Sequence, residues 1–314
     1  MKAFLVRRAL IGLAQVAILL LIVFVLSLLL PGDAADVQAG DLTSAEQRAE
    51  TRGVLGLDVA PMTRFATWLA GAAHGDLGTS WANGLPVTQV IAAPLLMTAL
   101  TALLTTVLLV PVAFGAGLWA GLRPGSVADR VITTVAITTD SVPDFVLAVL
   151  LVAWLAVGWQ LFPATFVGAD ALDVLTHPAY LVLPLTVLVC RMSAPLVRLV
   201  RAGVIDQQQA PYLEQARRLG IPRWSLVLRH LGPNALAPAV QELGRTGDSL
   251  LSGVLIVEAI FVIPGLATAM LDAIGNRDEP VILAVLLATG LLAIAINTLI
   301  DIAGGRMVPR RLRA

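Results

Sequence analysis

Ala210-Pro211-Tyr212-Leu213-Glu214-Gln215-Ala216-Arg217-Arg218-Leu219-Gly220-Ile221-Pro222 lies at the heart of a polar, strongly basic interruption, residues 201–233, in the C-terminal half of an otherwise apolar chain. Pro211 suits the first position of a helix, where its missing N–H has no intrahelical partner to lose. Glu214 falls in the first turn and Arg217 and Arg218 in the last, each complementing the nearer end of the helix dipole. Gly220 stands just past the end, ready for the left-handed conformation that stops a helix. Ile221-Pro222 forces an extended break before a second short helix. The stretch predicts a compact helix-turn-helix held between two membrane spans and suited to docking into something cytoplasmic.

The flanks justify the membrane setting. The chain has 314 residues, 58% hydrophobic and 13% charged, with a mean hydropathy of +0.87. An ordinary globular domain carries about twice that charged fraction. A spanning helix needs about 20 mainly apolar residues, and six runs qualify: 9–30, 95–122, 131–159, 180–204, 235–262 and 281–303. Pro111, Pro143, Pro195 and Pro238 are expected to kink or end these runs. The first run follows Lys2, Arg7 and Arg8 as a secretory signal would. It is longer than the 7–15 apolar residues of a signal's core, so it is read as a retained anchor. The expected organisation is a tail and first span at 1–30, an external segment at 31–93, a membrane core at 94–303 with its cytoplasmic loop at about 205–233, and a basic tail at 304–314.

Orientation follows from the positive residues. With the N-terminus inside, the cytoplasmic segments hold Lys2, Arg7, Arg8, Arg123, Arg130, Arg198, Arg201, Arg217, Arg218, Arg223, Arg229, Arg306, Arg310, Arg311 and Arg313. Outside stand Arg48, Arg52, Arg64 and Arg277, and Arg191 and Arg245 lie within spans. By the positive-inside rule both termini are cytoplasmic. The external segment contains a polar helical stretch around 44–52 and an amphipathic one near 61–72. Phe65, Trp68 and Trp81 are expected at headgroup level. The segment reads equally as a cap over the pathway or as an interfacial embellishment.

Little in the chain looks like enzyme chemistry. No Gly-x-x-x-x-Gly-Lys-Ser/Thr is present to cradle a nucleotide. Gly115, Gly117 and Gly121 lie in a span and read as a helix-packing surface. Cys190, the single cysteine, reads as a small core residue, and His74, His177 and His230 are too scattered to suggest a metal site. The basic loop lacks the interleaved aromatics expected of a nucleic-acid surface.

The charges inside the spans demand more. Asp140 and Asp144, four apart in the third run, are expected on one helix face; Arg191 lies in the fourth run; Glu242, Arg245 and Asp248 form a three-residue ladder near the start of the fifth. Each costs at least ~2.5–3.5 kcal/mol at the bilayer centre. They must face an aqueous path, a partner subunit or one another, and Glu242–Arg245 and Arg245–Asp248 have good ion-pair spacing. Mutual neutralisation is one reading; a polar lining for a charged or zwitterionic solute is the other.

The pattern around Gly220 resembles the Glu-Ala-Ala loop of permease subunits in binding-protein-dependent ABC importers. Glu214-Gln215-Ala216 with Gly220 matches Glu-Ala-Ala-x-x-x-Gly with one substitution. The segment Arg229-His230 to Asn234-Ala235 and Pro238 resembles the dipeptide/oligopeptide branch, which also handles nickel chelates and glutathione. Glu258, Phe261 and Pro264-Gly265-Leu266 match that branch too, as do Asn297 and Asp301, Leu30-Pro31-Gly32-Asp33, and Gly75-Asp76-Leu77-Gly78-Thr79-Ser80. Ser141, Pro143 and Phe145 fit the family's Ser-x-Pro-x-Phe, whereas Asp140 and Asp144 depart from it.

The resemblance implies an all-α permease subunit of the inner membrane, six-spanning and of type I importer architecture. It implies a second homologous permease as partner, two ATPases docked beneath, and a substrate-binding protein outside. ATP and Mg would sit on the ATPases, with no cofactor or metal in this chain. The coupling loop would comprise Pro211, Tyr212, Glu214, Ala216, Arg217, Arg218, Gly220 and Arg223; Asp140, Asp144, Arg191, Glu242, Arg245 and Asp248 are candidates for the pathway. A secondary transporter or channel for a charged solute would share the hydropathy but has no need of the cytoplasmic motif. An intramembrane enzyme would have only Asp140 and Asp144 as its catalytic pair.

Overall fold

A computed structural model describes residues 2–29, 32–39, 44–166 and 176–307. In chain order the helices are α1 (Lys2–Leu29), α2 (Ala34–Ala39), α3 (Ala45–Val54), α4 (Pro61–Ala73), α5 (Val87–Leu122), α6 (Val127–Ser141), α7 (Asp144–Leu151), α8 (Ala179–Gln208), α9 (Pro211–Arg218), α10 (Ala237–Phe261), α11 (Leu266–Gly275) and α12 (Glu279–Met307). α7 continues as a π-helical turn, Val152–Gly158, and three short helical pieces, Arg223–Ser225, Leu226–Leu231 and Gly232–Ala235, follow α9. Four helical stretches are long and apolar enough to cross a membrane: Leu10–Leu29, Val87–Leu122, Ala179–Gln208 and Glu279–Leu299. Two further pairs bent at a short break, α6 with α7 and its π-helical turn and the end of α10 with α11, raise the count among the described residues to six if each pair is taken as one broken span.

The breaks depart from the simple reading of six straight runs. Residues 131–159 do not form one helix: α6 stops at Ser141, Val142 is extended (φ −94, ψ 128), and α7 starts after Pro143. The two halves are bent by 111°. Pro143 offers no N–H to the preceding turn, and its ring pushes Val142 out of the helical region. Asp140 and Asp144 therefore stand on two helices, not on one helix face as their spacing suggested. Pro238, by contrast, falls in the first turn of α10, where proline is harmless. Pro184 and Pro195 lie inside a continuous α8. α5 starts at Val87, eight residues earlier than the apolar run predicts, and its 36 residues reach about 54 Å at 1.5 Å per residue.

The chain forms two compact units, one from Met1–Ala99 and Val262–Ile294, the other from most of residues 100–261 and the chain beyond 294. The first is built on Val16, Leu20, Phe24, Phe65 and Leu283. Phe24 and Phe65 meet with ring centres 4.8 Å apart, and Phe65 is buried in the core of this unit. Gly290 lets α1 lie close to α12: a Cβ there would stand 2.5 Å from Val16 Cγ2. Ser44 and Gln47 cap α3 reciprocally, and Asp33 and Asp36 do the same for α2, each carboxylate accepting from the other's backbone N–H.

Charge fixes this unit as much as packing. Arg64 of α4 forks onto Glu279 at the start of α12, both N–O distances being 2.9 Å. Its guanidinium also lies over the rings of Phe24 and Trp81. Asp278 accepts from the hydroxyl of Ser80 and from the backbone N–H of Trp81 and Ala82 at 3.1 and 3.2 Å. The Gly75–Ser80 motif is thus pinned to the residue preceding α12.

In the second unit α8 is central, with α6, α7 and α10 packed against it. Gly117 and Gly121 of α5 face Val200 and Val204, where an added Cβ would come within 2.6 Å of each valine's Cβ. Gly115 meets nothing within 4 Å, so the packing surface expected of the three glycines is made by two.

Candidate functional site

α9 begins at Pro211, as its sequence predicts, and buries one stripe, Leu213 and Ala216, against Val200, Val204, Leu226, Leu231, Ala235 and Ala239. Leu219 caps it and Gly220 follows with φ +75. The Gly220 N–H bonds the Arg217 carbonyl at 3.0 Å and the Ile221 N–H bonds that of Ala216 at 3.3 Å. This doubly bonded stop requires a left-handed residue at position 220, and Ile221 packs back onto the core beneath the helix. Tyr212 acts as a tie: its hydroxyl donates to Gln207 Oε1 at 2.7 Å and accepts from Asn234 Nδ2 at 3.3 Å.

The outward face of α9 is free for contact. Glu214 and Arg218 pair along the helix and are both well exposed, and Arg217 and Arg223 are exposed beside them. Among these charges stand Leu219, Trp224 and Leu228, exposed to 74, 62 and 60%. Arg223, Trp224, Val227 and Leu228 frame an open recess of about 530 Å³. A clustered apolar patch rimmed by arginines is the signature of a protein-binding surface.

The charges in the spans converge on α8. Arg191 Nη1 donates to Asp140 Oδ1 at 3.0 Å, and its Nε stands 3.0 Å from Asp144 Oδ1. Arg198 reaches the other oxygen of Asp140 at 3.0 Å. Two carboxylates from either side of the Pro143 break are thus matched by two guanidinium groups on one face of α8, about two turns apart. Asp144, Arg191 and Glu242 also line one cavity of about 260 Å³ with Ser249. The side chains of Arg245 and Asp248 lie outside the described residues, and with them the expected ladder.

The chain matches a family model described as the binding-protein-dependent transport system inner membrane component over residues 113–313. A companion model for the N-terminal part of such membrane components matches residues 1–102. This chain belongs to that family. Relatives include a protein named as a peptide transport system permease of Brucella abortus, 33% identical over 96% of each chain, and one named as a peptide ABC transporter permease of Sinorhizobium fredii, 29% identical over 99% of each. A glutathione transport system permease of Salmonella choleraesuis is 32% identical over 95% of each. The protein is thus a multi-pass permease subunit of an ABC importer with type I architecture, and it works with other components of that transporter.

Three ties of the permease escaped sequence reasoning. Arg201 forks onto Asp129 at 2.5 and 2.9 Å; Asp129 is buried and also accepts from the Gly125 N–H at 2.8 Å. Gln208 Nε2 donates to the Gly121 carbonyl at 2.6 Å. Both fasten the end of α8, which leads into α9, to the turn between α5 and α6. Arg198 and Arg201 were counted only as part of a positive bias, yet each has a specific acidic partner. The third tie, Arg64 with Glu279, joins residues 215 apart in sequence.

Proposed function

We propose that this permease subunit carries peptides or a related small solute across the inner membrane, with both termini on the cytoplasmic side. Its partners are a second, homologous permease, two ATPases docked against the α9 face, and a substrate-binding protein that delivers solute to the external side. ATP and Mg are held by the ATPases and this chain holds no cofactor. The relatives named for peptide and glutathione transport support the solute class. The observation that carries the mechanism is the build of α9: one face is seated on the core below α8, and the other presents arginines and an apolar patch.

ATPase closure pushes on α9, and Gly220 ends that helix so that the push is not dissipated into a longer, softer one. Asp129–Arg201 and Gln208–Gly121 transmit it as a rigid-body motion of α8 with the α5–α6 turn. The spans then rock between inward- and outward-open states. The polar lining of the path includes Asp140, Asp144, Arg191 and Glu242. Co-expression with a homologous permease and the ATPases tests this reading. A stable complex is expected whose ATP hydrolysis rises when loaded binding protein is added; failure of the ATPases to associate with any complex containing this chain would overturn it.

A further inference from the structure

A cavity of about 780 Å³ lies in the first unit beside the C-terminal end of α1, within the range of about 300–1,000 Å³ typical of small-molecule sites. Leu26 and Leu29 of α1, Met270 and Ile274 of α11, and Ile282 and Leu286 of α12 give it hydrocarbon walls; Arg64, Trp81, Arg277 and Glu279 line it as well. The polarity is graded along α12. Glu279, Ile282 and Leu286 follow one another at helical spacing, from a carboxylate at the first residue of the span to hydrocarbon about 10 Å further into it. Leu26, Leu29 and Ile274 stand exposed to 54, 74 and 48%, an apolar surface that water alone would cover at a cost. Most charges at the polar end already have partners: Arg64 forks onto Glu279, and Asp33 pairs with Arg52 at 2.7 Å. Arg277 adds a further cation, held at the turn into α12 with φ +55. A guanidinium has five N–H donors, so it can take a phosphate oxygen beside any contact it already makes.

We propose that this cavity holds one phospholipid, its phosphate at Arg277 and one acyl chain running along the α1, α11 and α12 walls to Leu286. The order of groups selects this occupant. A phospholipid passes from anionic phosphate to hydrocarbon in the same direction, and over about the same distance, as the cavity passes from Arg277 and Glu279 to Leu286. A peptide would carry polar backbone into the hydrocarbon end, where each unmatched N–H and C=O is costly. The seated chain covers Leu26 and Ile274 and braces the end of α1 against α11 and α12.

The test uses the full chain in its purified complex, in two measurements. The first is native mass spectrometry after extensive washing in detergent. One phospholipid is expected to stay on the wild-type chain. Leu26→Trp with Ile274→Trp, which fills the cavity from two exposed positions, should lose it. Leu19→Trp, at an exposed position of α1 that does not line the cavity, should keep it. Arg277→Asn, chosen because asparagine tolerates positive φ, should lower retention about fivefold. No phospholipid on the wild type, detergent or fatty acid in its place, or equal retention in all variants overturns the proposal. The second measurement keeps the test open if the double variant fails to fold. Wild-type complex is reconstituted with phosphatidylethanolamine carrying a diazirine in its acyl chain, and light-induced adducts are mapped by mass spectrometry. Adducts are expected at Met270, Ile282 or Leu286, surviving a chase with excess unlabelled phospholipid that removes those at Leu19. Adducts confined to the outer faces of the spans, as a protein partner filling the cavity would produce, contradict the site.

Discussion

In the mechanism proposed above coupling turns on Gly220, whose φ of +75 is one that a β-branched side chain scarcely adopts. No other atom would obstruct a Cβ at that site, so the penalty of a substitution is purely conformational and confined to the end of α9. Gly220→Val is expected to leave the chain inserted at normal levels by blot while abolishing ATP-dependent uptake in vesicles. Near-normal transport would remove the coupling role. Arg64 gives a contrasting case, in which loss should appear as instability. Its fork with Glu279 is mostly buried, and breaking such a pair costs about 3–5 kcal/mol by stranding the remaining charge. Arg64→Ala is expected to lower the melting temperature of the purified complex, and Arg64→Ala with Glu279→Ala to recover part of the loss; a double variant no better than the single would show that the pair is not the cause.

At the scale of elements, legibility tracked how local the signal is. The start and stop of α9 were readable because proline, glycine and end charges act within one turn, whereas its buried stripe, Leu213 and Ala216, came only from the structure. α3 and α4 were placed by their polar and amphipathic patterns around 44–52 and 61–72, while the reciprocal Ser44–Gln47 cap came only from the structure. The Pro143 break was visible as a proline, but not that it would separate Asp140 from Asp144, since apolar runs on both sides promise a single span. Pairings such as Asp129–Arg201 and Arg64–Glu279 were illegible: nothing in periodicity says which of several arginines meets which acid across distant helices. The glycines of α5 fall between these cases. Their spacing announced a packing face, and only the contacts with Val200 and Val204 show that Gly117 and Gly121 form it while Gly115 does not. Gly117→Leu should therefore impair the yield of folded complex far more than Gly115→Leu, as size-exclusion profiles would report. Equal effects would contradict the assignment.

For the whole molecule, the family membership, the spans and the α9 surface point to a subunit that is one part of a larger machine. A mixed-charge cluster on α8 and an apolar patch beside exposed arginines both make sense where other subunits complete the pathway and supply the energy. The most direct test is uptake of labelled tripeptide into proteoliposomes holding the purified chain, first by itself and then with a homologous permease, the ATPases, ATP and the loaded binding protein. The expected result is no uptake from the chain alone, whatever ion gradient is applied, and ATP-dependent uptake once all components are present. Gradient-driven uptake by a stable assembly of this chain only would contradict the importer account and mark the protein as a secondary transporter.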